Sequence, residues 1–211
     1  MKEFDVNNWN RKSQYEFFKS YKDPFFNITA NLEVTKLYTY CKKHDLSFSL
    51  ACIYVAIKSI NEIPEFKLRI KNEKVYAFDS VNVGSTILNE DHTFLFCDFI
   101  FTPTSSIFEF NASGKKAILK LKRGEVFNTN EDELAIVHCS TIPWVSFTGF
   151  KHARKGDEYS KGIPKIVFGG LFNDNELKKI PFSVEVHHAL LDGYHVSLLF
   201  SKMQQFINAL T

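Results

Sequence analysis

The sequence predicts an α/β (α+β) fold, a two-layer sandwich in which a mixed β-sheet is covered by helices on one face. Two observations favour this class: about four helical segments interleave with about eight or nine strand segments, and several strands follow one another directly. A regular alternation of one strand and one helix would instead predict a doubly wound parallel sheet. The 211 residues suffice for one domain with a normal core, so we expect residues 1–211 to form a single domain.

Composition and charge argue against several classes of function. The chain has 26 basic and 24 acidic side chains, a formal net charge of +2, so nucleic acid is not an expected partner. No apolar run approaches the ~20 residues that span a bilayer, and the first residues lack the apolar segment of a signal peptide. The four cysteines are far apart and form no CxxC pair. We therefore expect a soluble, cytoplasmic protein with free core thiols and no membrane partner.

The first 80 residues predict three helices, one strand and one hairpin, from apolar periodicity and from capping residues at the helix starts. In order, these are a short aromatic helix over 15–21, a half-buried strand over 26–34, helices over 35–44 and from Ser47 or Ser49 to Ile60, and a hairpin with arms at 66–70 and 75–78.

The second half predicts more strands than helices. Residues 81–88 and 93–102 predict two strands, and the second is apolar on both faces except at Asp98, so we expect it at the centre of the sheet. Asp98 could be a satisfied structural group or a site residue, and we favour the structural role. The remaining segments are a helix from Ser105 or Ser106 to Leu121, a polar excursion over 124–132, strands over 135–140, 145–147, 165–172 and 182–188, and a loop-like segment over 152–161.

The last of these strands leads into the stretch with the most chemical character, which holds three of the seven histidines. Phe182, Val184, Val186 and His188 share one face by the strand's period of two, so His188 ends an apolar row. A buried imidazole loses solvation, which favours its neutral form and leaves a lone pair that can take a proton. This pattern is typical of a general base.

Other interpretations of this stretch stay open on the residues alone. The adjacent His187 and His188 could be ordinary strand residues, and Asp192 could be only the N-cap of the last helix, with Gly193 a turn residue. A metal site formed by these residues with His195 is less favoured, because adjacent strand residues point to opposite faces.

The pattern HHxxxDG, formed by residues 187–193, resembles the signature of coenzyme A-dependent acyltransferases. Two further stretches resemble the chloramphenicol acetyltransferases within that group: Asn8-Trp9-Asn10-Arg11 and the segment from Ser140 to Thr148. Their order and spacing also fit, and the resemblance extends from Phe4 to Leu210. Three motifs in register are much more specific than one.

The resemblance implies roles for individual residues. His188 would be the catalytic base that takes a proton from an acceptor hydroxyl, which then attacks the thioester of acetyl-CoA directly in a ternary complex. Ser140 would stabilise the tetrahedral oxyanion. Arg11 would pair with Asp192 and fix the catalytic loop, Gly193 would supply a tight turn, and a backbone carbonyl would hold the second ring nitrogen of the histidine.

The resemblance also implies an acceptor pocket and an assembly. Phe17, Phe18, Pro24 and Phe26 fall where the family lines its acceptor pocket, although core packing is an equal alternative for each of them. Trp144 would serve packing near the site. The family is trimeric with sites between subunits, so the resemblance implies a homotrimer that acetylates chloramphenicol, or a similar hydroxyl compound, and confers antibiotic resistance. No metal is implied.

Several positions depart from the family's pattern. A threonine that would help to stabilise the intermediate is replaced by Val167. A lysine and a tyrosine near the coenzyme are replaced by Gly170 and Leu171, and a second such pair by Ser47 and Ser49. These departures predict weaker binding of coenzyme A. They leave open a different acceptor or acyl donor, and a trimeric binding protein without turnover.

Overall fold

The structure is a computed structural model that describes residues 1–124, 134–154 and 161–211. Most of the predicted polar excursion over 124–132 and most of the loop-like segment over 152–161 lie outside the described residues. Within the described ranges, no helix is both long and apolar enough to cross a membrane.

Five α-helices and ten strands are found in the described ranges, with two short 3-10 helices at Val6–Asn8 and Pro64–Lys67. The helices are α1 (Lys12–Phe18), α2 (Thr35–Lys43), α3 (Phe48–Asn61), α4 (Ile107–Lys122) and α5 (Gly193–Asn208). The strands are β1 (Lys2–Glu3), β2 (Phe25–Glu33), β3 (Leu68–Lys71), β4 (Lys74–Ala77), β5 (Asn82–Leu88), β6 (Phe94–Phe99), β7 (Ile136–Thr141), β8 (Lys165–Phe168), β9 (Phe172–Asp174) and β10 (Leu177–His187).

The main sheet is mixed, as predicted. Its strand order is β2-β10-β8-β7-β5-β6, with β9 paired to the start of β10. The β5–β7 and β7–β8 pairs are parallel and the others antiparallel. A small three-stranded sheet, ordered β1-β4-β3, lies beside it. The helices pack on the main sheet, and α3 contacts α2, α4 and α5, so α3 lies at the centre of the helix layer.

The sequence of α3 explains its central place. Ten of its fourteen residues are buried, so it is apolar on nearly every side, which is typical of a helix with neighbours all round. Ser47 caps it by accepting a hydrogen bond from the Leu50 amide, as one of the two predicted alternatives had it. The sequence predicts Thr35 as the N-cap of α2, which is wrong: Val34 occupies the N-cap, and Thr35 Oγ1 accepts a hydrogen bond from the Lys178 amide at 2.9 Å.

The strand over 94–99 differs from its prediction, because β6 is an edge strand and not a central one. Its inner face is buried by Cys97 and Phe99, but Phe94 and Phe96 on the other face are exposed, the latter to 76%. The strand is therefore apolar on both faces, although only one of these faces is buried within the chain. An exposed aromatic surface of this kind is typical of a contact site.

The predicted strand over 145–147 is not formed, and the predicted strand over 165–172 is split in two. Gly170 explains both differences. Its amide donates to the Val145 carbonyl at 2.8 Å, and an added Cβ would lie only 2.8 Å from the Pro143 carbonyl oxygen. The backbone of 143–145 thus packs on Gly170 where a strand would continue.

A buried arginine anchors the hairpin of β3 and β4 to the start of β7. Arg69 has no solvent exposure, and its guanidinium donates to four backbone carbonyls, those of Phe66, Leu68, Leu134 and Ile136, at 2.6–2.9 Å. Burial lowers the pKa of Arg69 to about 9, which leaves the group charged at neutral pH. These bonds fix the strand that carries Ser140.

All four cysteines are buried free thiols. Burial raises the pKa of Cys41 and of Cys97 to about 11 and that of Cys139 to about 12. The fully buried Cys52 is also shifted well upward. A thiol with a raised pKa holds little of the reactive thiolate at neutral pH.

Candidate active site

His188 lies directly after β10, at the end of the predicted apolar row, and its backbone is fixed by the neighbouring strand. Its amide donates to the Pro24 carbonyl at 2.7 Å, just before β2 begins. The imidazole stacks on Phe18 of α1, with ring centroids 3.8 Å apart and planes inclined by 6°. Phe26 of β2 contacts it from another side, at 4.6 Å. The imidazole is therefore held in a half-buried aromatic setting.

The two ring nitrogens of His188 differ in their surroundings. Nδ1 is buried and has no hydrogen-bond partner within the described ranges, so the carbonyl that the resemblance implied for it is not seen. Nε2 is therefore the nitrogen that an acceptor hydroxyl can approach. To act as a base through Nε2, the ring must carry its proton on Nδ1.

Arg11 joins the two ends of the catalytic loop. One of its terminal nitrogens contacts the Asp192 carboxylate, and the other lies 3.4 Å from the His188 carbonyl oxygen. The Arg11 side chain is 9% exposed and the Asp192 side chain 32%, so the arginine is buried while its carboxylate partner still meets water. Burial alone would raise the pKa of Asp192, but the charges of Arg11 and His195 and the Tyr194 amide outweigh it and lower that pKa. Asp192 is both the helix N-cap and the partner of Arg11.

The network continues beyond the predicted residues. His195 Nδ1 lies 2.9 Å from Asp192 Oδ1, and its Nε2 lies 3.7 Å from Glu65 Oε1. The interaction with His195 lowers the pKa of Glu65. Sequence reasoning treated His195 only as a metal-ligand alternative and missed Glu65, which lies 130 positions away in sequence. The spacing of Asp192 and His195 on one turn of a helix was the available signal.

Ser140 is not brought to His188 within one chain. Val167 in β8 is the direct partner of both Ser140 in β7 and Ser183 in β10. His188 lies about 16 Å further along β10, and β7 is two strands, or about 10 Å, across from it. The two predicted catalytic residues therefore occupy opposite ends of the sheet.

The predicted acceptor residues lie together at the His188 end. Phe18 and Phe26 contact the imidazole, and Pro24 is buried beneath it. Phe17 does not touch His188: it packs edge-on to Phe18 with centroids 4.9 Å apart and is 60% exposed. An aromatic wall thus extends from the base to the surface.

Trp144 and Gly193 were predicted to have supporting roles. Trp144 is 69% exposed in the single chain, and its packing role stays a prediction. Gly193 is not needed for a tight turn: it is the first residue of α5, its φ is not positive, and an added Cβ would make only an ordinary 4.0 Å contact with Ile28. The N-cap geometry of Asp192 sets the turn instead.

A row of ionisable side chains crosses the sheet near Ser140. Glu185, Lys165 and His138 are direct partners on successive strands, and His138 faces Gly84, which faces Asp98. A Cβ on Gly84 would lie 2.5 Å from Ile136 Cδ1 and 3.2 Å from Asp98 Oδ1, so the Ile136 side chain and the Asp98 carboxylate both pack over the glycine. Asp98 is thus part of a polar row near Ser140, and its structural role stays a prediction.

Glu185 is almost fully buried, and its charge is neutralised by Arg154 in the loop that follows the 140–148 segment. Arg154 Nε donates to Glu185 Oε1 at 2.8 Å, and a second nitrogen of the same guanidinium also contacts that oxygen. The guanidinium carbon lies 3.4 Å from the ring centroid of Phe25, the partner of His187. The loop therefore covers the face of β10 that carries Ser183, Glu185 and His187.

Comparison with known structures defines the class. A solved chloramphenicol acetyltransferase matches with a TM-score of 0.83 at 22% identity, covering 98% of this chain and 99% of that one. A probable dihydrolipoamide acetyltransferase from Listeria monocytogenes matches with a TM-score of 0.69 at 11% identity, over 100% of this chain and 96% of that one. The protein thus has the coenzyme A-dependent acyltransferase fold.

Comparison of sequences narrows the class to one family. The family model for chloramphenicol acetyltransferase matches residues 1–204. A chloramphenicol acetyltransferase of Clostridium perfringens is 30% identical over 209 residues, covering 95% of this chain and 92% of that protein. The chain belongs to the chloramphenicol acetyltransferase family and is an acyltransferase. Within the described ranges, no cluster of three or more histidine, cysteine or acidic side chains is arranged to hold a metal ion.

Proposed function

We propose that the chain is an acetyl-CoA-dependent O-acetyltransferase that transfers an acetyl group to a hydroxyl of chloramphenicol. The observation that carries this proposal is the setting of His188, an imidazole held between Phe18 and Phe26 on a loop fixed by the Arg11–Asp192 pair. Curated relatives that bear the name chloramphenicol acetyltransferase support the acceptor. Residues 1–211 would act as one domain, whose buried residues form a continuous core.

The reaction follows from the side chains present. His188 Nε2 takes the proton of the acceptor hydroxyl while that oxygen bonds to the thioester carbon. The carbonyl oxygen becomes an oxyanion and receives a hydrogen bond from the Ser140 hydroxyl. The intermediate collapses, the carbon–sulfur bond breaks, and the imidazolium returns its proton to the coenzyme thiolate. No metal is required for any of these steps.

The site is completed between copies of the chain in a homotrimer. His188 and Ser140 lie at opposite ends of one sheet, so a head-to-tail contact around a threefold axis would bring the His188 end of one copy to the Ser140 end of the next. The exposed Phe96 and Trp144 support such a contact, because large apolar side chains rarely remain in water in a stable assembly. Three equivalent sites would result.

The supporting residues act in that composite site. Phe17, Phe18, Pro24 and Phe26 form the aromatic wall against which a flat apolar acceptor packs. Arg11 and Asp192 hold the loop of His188. The four unpaired thiols suit a reducing compartment, so we place the enzyme in the cytoplasm, where inactivation of the antibiotic would confer resistance.

A second acceptor is favoured by one observation. The row that contains Asp98, His138 and Lys165 lies two residues from Ser140 in strand register, on the same face of the sheet. Such a surface would select an acceptor that carries additional polar groups. The same chemistry would then act on a more polar hydroxyl compound than chloramphenicol.

Thiol release from acetyl-CoA tests the proposal. The native protein should release thiol only when chloramphenicol is present, and His188→Ala should abolish release while the protein stays folded by circular dichroism. Release with a polar hydroxyl compound but not with chloramphenicol would support the second acceptor. No release with any acceptor would contradict the catalytic assignment.

A further inference from the structure

Helix α5 is linked at two points to the segment that follows α3. His195 Nε2, in the first turn of α5, lies 3.7 Å from Glu65 Oε1 in the 3-10 helix Pro64–Lys67. About two turns further along α5, Lys202 Nζ donates to Glu62 Oε2 at 2.9 Å. The two links join the same parts of the fold, but only the first contains a residue that contacts the loop of His188.

The backbone at Glu65 is fixed by the core. Its neighbours on either side of Pro64–Glu65, Ile63 and Phe66, are both buried, the latter completely. The Phe66 carbonyl also accepts a hydrogen bond from the buried Arg69 guanidinium at 2.8 Å. The Glu65 carboxylate therefore extends from a rigid support, and its side chain is 23% exposed.

The His195 ring connects Glu65 to Asp192. A carboxylate beside Nε2 favours a proton on that nitrogen. At the other side of the ring, Nδ1 accepts the Asp192 amide at 3.2 Å and lies 2.9 Å from Asp192 Oδ1. The His195 side chain is only 8% exposed, so its position is also set by packing. One ring thus contacts both the backbone and the carboxylate of the N-cap residue.

The other oxygen of the same carboxylate leads to the base. Asp192 Oδ2 contacts one terminal nitrogen of Arg11, and the second terminal nitrogen lies 3.4 Å from the His188 carbonyl oxygen. A rotation of the Asp192 carboxylate would disturb its contacts with His195 and Arg11 together. The contacts therefore form one unbroken series from the support of Glu65 to the backbone of His188.

We propose that Glu65 and His195 are positioning residues for the catalytic base, an inference that rests on the proposed function. Neither residue touches the reacting atoms. They fix the Asp192 carboxylate, through which Arg11 holds the His188 backbone. A displacement of about 1 Å at a reacting group can cost roughly 100-fold in rate, so small movements of this loop matter.

Single substitutions test the role by separating kcat from KM. Glu65→Ala and His195→Ala should each lower kcat by roughly tenfold while KM for chloramphenicol and for acetyl-CoA stays within about twofold, because the groups that contact the substrates remain. Glu65→Gln keeps an oxygen that can accept from Nε2, so it should retain more of the native kcat than Glu65→Ala. The double alanine variant should be no slower than the slower single variant, since both act in one series of contacts.

A second readout follows the His188 ring without turnover. In protein labelled with 15N-histidine, the ring signals of His188 are those absent from His188→Ala. They should shift or broaden in Glu65→Ala, because the loop that carries the ring is less firmly held. Unchanged signals would contradict the positioning role, whatever the effect of the substitution on stability.

Glu62→Ala is the matched control. It removes the same type of side chain from the other link, whose glutamate is 49% exposed and has no contact with the catalytic loop. Its kcat and its His188 signals should be those of the native protein. A native kcat in Glu65→Ala, or an equal loss in Glu62→Ala, would overturn this inference alone. Failure of the native protein to transfer acetyl to any acceptor would overturn the proposed function with it.

Discussion

At the scale of single residues, the site depends on how one imidazole is held. Phe18 lies parallel to His188, so rotation of the ring about its χ2 bond would push it into the phenylalanine. The loop that carries the imidazole is fixed independently, by Arg11 contacting both Asp192 and the His188 carbonyl. Orientation of the base thus rests on stacking and on the ion pair between the buried Arg11 and the partly exposed Asp192.

The free energy of unfolding at acidic pH should depend on that ion pair. The pKa of Asp192 is lowered in the folded state, so its contribution to the free energy of unfolding is complete above about pH 4 and is lost as pH falls through the folded pKa. Asp192→Asn leaves Arg11 without its carboxylate and should destabilise the protein at neutral pH. The difference from the native protein should shrink below about pH 4.

Urea unfolding at a series of pH values and at fixed protein concentration measures this difference. Asp45→Asn is the control, because the Asp45 side chain makes no ion pair in the described part of the chain and Asn tolerates its positive φ. The effect of Asp45→Asn on the free energy of unfolding should not shrink below about pH 4. A difference for Asp192→Asn that stays constant down to pH 2 would contradict the assigned role of the pair.

At the scale of elements, Gly170 decides the path of the 142–146 segment. A Cβ there would lie 2.8 Å from the Pro143 carbonyl oxygen and 3.1 Å from the Val145 carbonyl carbon, both backbone atoms that cannot turn away. Gly170→Ala should lower the free energy of unfolding by about 1–3 kcal/mol, as overpacking typically does.

Gly149→Ala provides the comparison, since a Cβ at Gly149 would meet nothing within 4 Å. Its effect in urea unfolding should stay within about 0.5 kcal/mol of zero. Equal stabilities for the two variants would show that the segment moves freely over Gly170. By the same steric argument, Gly170→Lys should not restore a coenzyme contact at that position.

Sequence periodicity predicted most elements because local patterns carry them. The row of Phe182, Val184 and Val186 was predicted and is buried. Burial of Glu185 and His187 on the opposite face was not predictable, since it depends on Arg154 and its loop folding back over β10. The edge position of β6 was mispredicted for a related reason: its exposed aromatic residues mimic those of a central strand.

The candidate site was predictable only where a motif linked its parts. The spacing of His188, Asp192 and Arg11 resembles a family pattern, so these residues were found and the structure brings them together. Glu65 contributes through a contact that no short-range pattern reports. The separation of Ser140 from His188 depends on strand order and register, which are tertiary properties.

At the scale of the whole molecule, two inactive variants should rescue each other. If each site takes its base from one copy and its oxyanion donor from the next, refolding an equal mixture of His188→Ala and Ser140→Ala chains should create some intact sites. Random assembly predicts roughly a quarter of the native number, since each partner is correct half of the time. Acetyl transfer by the refolded mixture measures this fraction.

Each variant refolded alone is the control and should stay almost inactive. Recovery in the mixture would require that the two residues act across copies. A mixture no more active than its components, in a trimer confirmed by light scattering, would mean that the residues do not meet between chains and would contradict the composite site.

The four buried cysteines have a practical consequence for enzymology. Aromatic disulfide reagents react with thiolates, and the raised pKa of each native thiol, together with its burial, keeps the folded chain silent towards them. A colorimetric time course should therefore begin from a flat baseline, and its slope should measure the release of coenzyme A thiol alone. A slow drift in the absence of substrate would then report local unfolding of the protein itself.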